Sequence, residues 1–116
     1  MREKIRDKGR LEHILESIDD TIEFTKDVSF EDFTNNKMLR FAVAKTIEII
    51  GEASYKLTKE FKAAHSDIEW DAIIGLRHVL VHGYYQISEV RLWKIIQKDL
   101  IPLRQQIQAL YETMNN

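Results

Sequence analysis

Residues 38–61 read MLRFAVAKTIEIIGEASYKLTKEF, and the fold turns on how this stretch is read. Apolar side chains fall at Leu39, Phe41, Val43, Ile47, Ile49, Ile50, Ala53 and Leu57. That spacing predicts one long helix from roughly Met38 to Phe61, apolar over more than one face. Such a helix is either central in a bundle or shared between two subunits. Gly51, Ala53 and Ser54 place small side chains in its middle. A mid-helix glycine costs about 1 kcal/mol against alanine, so close approach of another helix is the expected return.

Working outward, Leu11, Ile14, Leu15, Ile18 and Ile22 form one stripe of a first helix, from about Glu3 to Lys26, with charges opposite. It should stop near Asp27–Ser29, and Ser29 with Asp32 three residues on is a cap for the segment after it. Downstream, Ser66-Asp67-Ile68-Glu69 has the form of a capping box opening a third helix, Trp70 to about Val81, which Gly83 ends or loosens. Ser88 is a fair cap for a fourth, in which Val90, Trp93, Ile96, Leu100, Leu103, Ile107, Leu110 and Met114 recur at helical spacing. Pro102 inside that pattern predicts a kink or break near Leu100 to Ile101. The expectation is a single all-α domain over residues 1–116, an up-and-down bundle of four to five helices with short connections.

The totals agree. A chain of 116 residues suits one domain, and one proline with four glycines leaves little turn chemistry. A domain this size buries only about two-thirds of its unfolded surface, so dimerisation would add useful burial. Seventeen Lys and Arg against nineteen Asp and Glu speak against a protein that coats nucleic acid, but not against a cleft holding a few cations. Cysteine is absent, which excludes disulfides and thiolate metal cages. The opening MREKIRDKGR is too polar for a signal peptide, and no apolar run approaches the ~20 residues that span a bilayer, so a cytoplasmic protein is expected.

One segment is not explained by helix building. In GLRHVLVHGYY, residues 75–85, Arg77, His78 and His82 interrupt an apolar helix that should be buried. An arginine in that setting either pairs with an acid such as Glu48 or Glu52, or its face lines a cleft. At about 100° per residue, Arg77 and Tyr84 lie within about 20° of each other and His78 and His82 within about 40°. Arg77 and His82 are about 140° apart, which is poor for a joint site on one straight helix. The helix could end before His82 and let it turn, or a twofold dimer could bring two copies of the segment together.

Arg77, four residues, His82, one residue and Tyr84 make the pattern Arg-x4-His-x-Tyr, which resembles that of HepT-like proteins in the HEPN superfamily. Ile49-Ile50-Gly51-Glu52-Ala53, Glu69-Trp70, and Asp99-Leu100 with Pro102 also resemble landmarks of that family, and the likeness runs from about residue 38 to 107. The resemblance implies a twofold dimeric, HEPN-like bundle that acts as a metal-independent endoribonuclease toxin. It implies a nucleotidyltransferase antitoxin that silences the toxin by adding AMP to Tyr84. The chain departs from the family where it has His78 after the arginine, often Asn, and Gly83 after the histidine, often Glu.

The chemistry fits those residues. Cleaving RNA without a metal needs a base for the ribose 2′-OH, an acid for the leaving oxygen and a cation for the phosphorane. A histidine, ordinarily titrating near ~6.5, suits His82 for proton transfer. Arg77 offers a planar, permanent charge for phosphate, and Tyr84 could stack on a base or bond the phosphate. A twofold dimer would supply two of each to one groove. His78 reads as a second polar lining residue. Its i, i+4 spacing with His82 is that of a metal pair, but no third ligand is evident, so neither metal nor cofactor is expected. Lys45 and Glu52 read as exposed charge, Trp70 and Trp93 as core anchors, and the mixed charges of residues 2–12 as a solvated face. The rival function is a non-catalytic helical module that binds a nucleotide or a partner loop beside a nucleotidyltransferase. A metal enzyme through His78 and His82 is a third class.

Overall fold

A computed structural model describes residues 2–83 and 87–114, with side chains of the first helix from Asp7 onward. Four long helical stretches form the bundle and two short helices bridge them. The order is α1 (Arg2–Phe24), α2 (Phe30–Asn35), α3 (Lys37–Lys56), α4 (Lys59–Ala64), α5 (Trp70–Gly83), α6 (Glu89–Lys94) and α7 (Leu100–Thr113), the last two joined by a π-helical turn, Ile95–Asp99. The described residues contain no strand.

The stripe on α1 is the core: Leu11, Ile14 and Ile18 are fully buried, and Ile22 packs against them. After Phe24 the chain reverses through Asp27, whose φ of 59° lies in the left-handed region that aspartate tolerates better than most side chains. Ser29 then caps α2 in a full capping box with Asp32, as the sequence predicts. Phe33 of α2 is buried and stacks on Trp93, their ring centroids 5.3 Å apart.

α3 is the central helix, packed on α1 along one side and α5 along the other. The α1 contact carries a buried pair of hydroxyls, Thr21 and Thr46, 2.6 Å apart. The expected helix to Phe61 is instead two helices, because Leu57 leaves helical geometry and Thr58 caps α4, accepting from the Phe61 N–H. Asp7 fixes that break: its carboxylate accepts from the Thr58 N–H at 2.9 Å and from the Thr58 hydroxyl at 2.7 Å. Asp7 is itself only 4% exposed, so residues 2–12 are not wholly the solvated face their mixed charge suggests.

The crossing of α3 and α5 is very close. A Cβ on Gly51 would sit 2.3 Å from Arg77 Cβ and 3.0 Å from the Ile73 carbonyl oxygen. The small residue is therefore there for helix contact, as expected, and the residue pressed against it is Arg77. α5 starts at Trp70, where the Glu69 carbonyl accepts from Ile73 N–H, so Ser66 lies in the preceding turn, too early to cap it. Trp70 is buried and its indole N–H donates to the His65 carbonyl at 3.0 Å. It is a core anchor, as is Trp93.

Ser88 caps α6, and the helix then runs on to Thr113 without breaking. The irregularity expected at Leu100–Ile101 is the π turn just before it. Pro102 has no N–H to give the carbonyl four residues back and its ring crowds that carbonyl, and one wide turn upstream accommodates both defects. No helix among the described residues is long and apolar enough to cross a membrane.

Candidate active site

Arg77 projects from the middle of α5 toward α3, because the α3–α5 contact at Gly51 sets its Cα against the neighbouring helix. Its Nε donates to Glu52 Oε2 at 2.5 Å, and its guanidinium carbon lies 5.1 Å from the centroid of the Tyr55 ring. Glu52 Oε1 also meets Lys56 Nζ at 3.5 Å. Burial raises the Glu52 pKa, but the hydrogen bond and charge of Arg77, helped by Lys56, outweigh it and hold the carboxyl below its ordinary value.

Of the two alternatives for Arg77, the ion pair is the one realised. It pairs with an acid, Glu52, and it also reaches solvent, with 27% of its side chain exposed. Among the described residues its two Nη groups have no acceptor, so one edge of the fork is held and the other is open. This is a positioned cation able to take two oxygens of a phosphate. Glu52, read from sequence as exposed charge, is the residue that aims it. Lys45 remains exposed charge, 3.4 Å from Glu48.

His78 and His82 are both exposed on α5, one turn apart, their ring centroids 4.4 Å apart and roughly edge to face. α5 is helical through Gly83, so the helix does not end before His82. His82 therefore stays about 140° around the helix from Arg77, and one of the two ways of joining them is removed. Tyr84 lies outside the described residues. Among those described, no group of three His, Cys, Asp or Glu is placed to hold a metal ion.

A groove of about 520 Å³ runs between α3, α5 and α7, lined by Ile47, Ile50, Ile73, Leu76, Lys98 and Asp99 among others. None of Arg77, His78 and His82 lines it. Glu52, one of the two acids the sequence offered to Arg77, is its partner, and Tyr55 is what the sequence reading missed. A signal for both existed: the glycine that marks a close crossing also marks its helical neighbours as the side chains flanking whatever crosses.

Comparison with known proteins agrees with the landmarks. The model of the family described as "Ribonuclease HepT-like" matches residues 14–110. A "Putative RNase" of Methanocaldococcus jannaschii is 42% identical over 103 residues, 89% of this chain and 94% of that protein. A "Putative RNase" of Caldanaerobacter subterraneus is 38% identical over 88% of this chain and 91% of its own length. A "Probable ribonuclease HepT" of Thermococcus cleftensis is 38% identical over 89% of this chain and 94% of its own length. No solved structure matches the chain at a significant level. The matched span takes in Gly51, Glu52, Arg77 and His82 together, and the relatives align along nearly all of their own lengths: the chain belongs to the HepT-like ribonuclease family.

Proposed function

We propose that this chain is the endoribonuclease toxin of a toxin–antitoxin pair, cutting RNA without a metal as a twofold dimer in the cytoplasm. The observation that supports the reading is the half-held arginine: Arg77 is aimed by Glu52, and among the described residues nothing accepts from its Nη edge. In the reaction the ribose 2′-OH attacks the adjacent phosphorus. His82 takes the hydroxyl proton, the second subunit's copy of that histidine protonates the departing 5′ oxygen, and Arg77 carries the phosphorane charge. His78, edge-on to His82, stands beside that histidine in the cleft that two subunits would form.

The unbroken α5 supports the dimer. Arg77 and His82 of one chain face different directions on an unbroken α5, so a groove holding both kinds of group draws them from two chains. α3 supports this: Met38 is 79% and Ile49 36% exposed, and with Glu52 they lie within about 60° around the helix. On α5, Val81 is 49% exposed and within about 40° of Arg77. A second copy seated on these apolar side chains would border the Glu52–Arg77 pair.

The partner that silences the toxin is a nucleotidyltransferase, adding AMP to Tyr84 and so blocking RNA with a bulky anion. The deciding experiment compares wild type with His82→Ala on RNA in EDTA. Cleavage by wild type alone is the expected result. Equal cleavage by both, or none by wild type across varied RNAs, would leave a binding module in place of an enzyme.

A further inference from the structure

We propose that Tyr55 is the floor of a nucleobase subsite, on which a base next to the phosphate held by Arg77 stacks. The inference rests on the RNA-cleaving reading above and adds a residue that neither the motif nor the family landmarks include.

Tyr55 occupies the last full turn of α3 and is 56% exposed, although a phenol ring gains by burial. It is not loose. The Arg77 guanidinium lies 5.1 Å from its ring centroid, close enough for a cation–π contact. An exposed ring has two faces, and the guanidinium can cover only one. The other face thus lies beside a cation aimed at phosphate, the arrangement by which proteins hold single-stranded nucleic acid: a cation for the backbone and a ring for the base.

Other exposed apolar side chains on α3 do not offer this. Met38 lies 17 residues from Tyr55, about 25 Å along the helix, beyond reach of a nucleotide bound at Arg77. The surroundings of Tyr55 are cationic. Lys56 is beside it in sequence, and the Lys62 ammonium donates to the Tyr55 carbonyl at 3.4 Å. Lys62 also lines a shallow trough with Lys59, Ser66, Trp70 and Asp71, so the surface past the ring carries positive groups for the next phosphate along the strand. Glu69 and Asp71 stand in that trough too, which favours a strand passing along the lysine side.

The ligand is single-stranded RNA, and recognition is by ring stacking, which accepts any base. The test measures binding by fluorescence anisotropy of a short 2′-O-methyl RNA, uncleavable because it lacks the attacking hydroxyl, and of the same strand made abasic. Wild type should bind the base-bearing strand roughly tenfold tighter, the lower part of the range for stacking on an aromatic side chain. Tyr55→Phe should keep that preference, and Tyr55→Ala should erase it while binding the abasic strand as wild type does. If Tyr55→Ala weakens both strands equally, the ring acts only through Arg77 and the inference is overturned. It is overturned too if Tyr55→Ala binds like wild type, or if it sediments at half the wild-type mass, because the ring is then an interface residue. A wild type that shows the base preference yet cuts no RNA removes the nuclease reading and leaves the subsite. One that cuts RNA with no base preference does the reverse.

Discussion

Replacing Gly51 with alanine should separate activity from stability. The new Cβ would lie 2.3 Å from Arg77 Cβ, 3.0 Å from the Ile73 carbonyl oxygen and 3.2 Å from Arg77 Cα, where ordinary contact begins at 3.4 Å. All three atoms belong to, or hang directly on, the α5 backbone, so no rotamer change relieves them. The helices must part by about 1 Å. Overpacking of that kind costs about 1–3 kcal/mol. Alanine recovers about 1 kcal/mol of helix propensity, so the net loss should fall between nothing and about 2 kcal/mol. The shift falls on Arg77, the residue proposed to meet the phosphate, where a 1 Å misplacement can cost about 10²-fold in rate. Urea unfolding would give the first number and single-turnover cleavage of RNA the second. Gly9→Ala is the control: its Cβ meets nothing within 4 Å, so it should gain about 1 kcal/mol and cut RNA normally. If Gly51→Ala loses less than twofold in cleavage at wild-type stability, the α3–α5 contact does not set the position of Arg77.

Arg77→Lys should remain folded but lose about 10²- to 10³-fold in cleavage, because one ammonium cannot hold Glu52 and also present a fork to phosphate. Glu52→Gln bears on pH. The folded-state pKa of Glu52 is lowered, so its contribution is complete above the ordinary value of 4.5 and fades as pH falls through the lower folded value. The variant should be less stable at neutral pH by under about 1 kcal/mol, the scale for a solvent-exposed pair, and match wild type in strong acid. Equal deficits at both ends of a pH series of urea melts would contradict that. Asp7→Ala strips the Thr58 N–H and hydroxyl of their acceptor in a buried spot, and denaturation should show a loss of about 1–3 kcal/mol with cleavage retained. Unchanged stability would mean that the start of α4 does not depend on α1.

How legible this molecule was depends on the range of the interaction. Periodicity is a local signal, and it located the buried stripe of α1, the central α3, and the caps at Ser29 and Ser88. The misplaced boundaries have non-local causes. The break at Leu57–Thr58 is held by Asp7, 51 positions away, and no pattern within residues 38–61 contains that partner. The π turn answers a steric conflict at Pro102, and a proline announces the conflict without saying which turn will absorb it. Ser66 to Glu69 has the letters of a capping box, but the buried Trp70, bonded to the His65 carbonyl, fixes where α5 can begin.

The site divides along the same line. The motif singled out Arg77 and His82, and helical geometry alone showed that they could not meet on one straight helix. It could not say whether the helix ends early, a question that the continuation of α5 through Gly83 answers against the single-chain site. Glu52 and Glu48 were both open as partners for Arg77, and the sequence could not choose between them because the contact spans 25 positions and two helices. Gly51 is the residue of α3 that marks a distant neighbour, since a Cβ there would meet α5, whereas Gly9 and Gly75 face open space. Once Gly51 is read as the place where α5 crosses, the chemistry-bearing residue of α5 and the polar residues beside the glycine must be near one another. The Glu52–Arg77 pair and the Tyr55 ring then follow from a single packing constraint, which is why a methyl group at position 51 should disturb all three side chains at once.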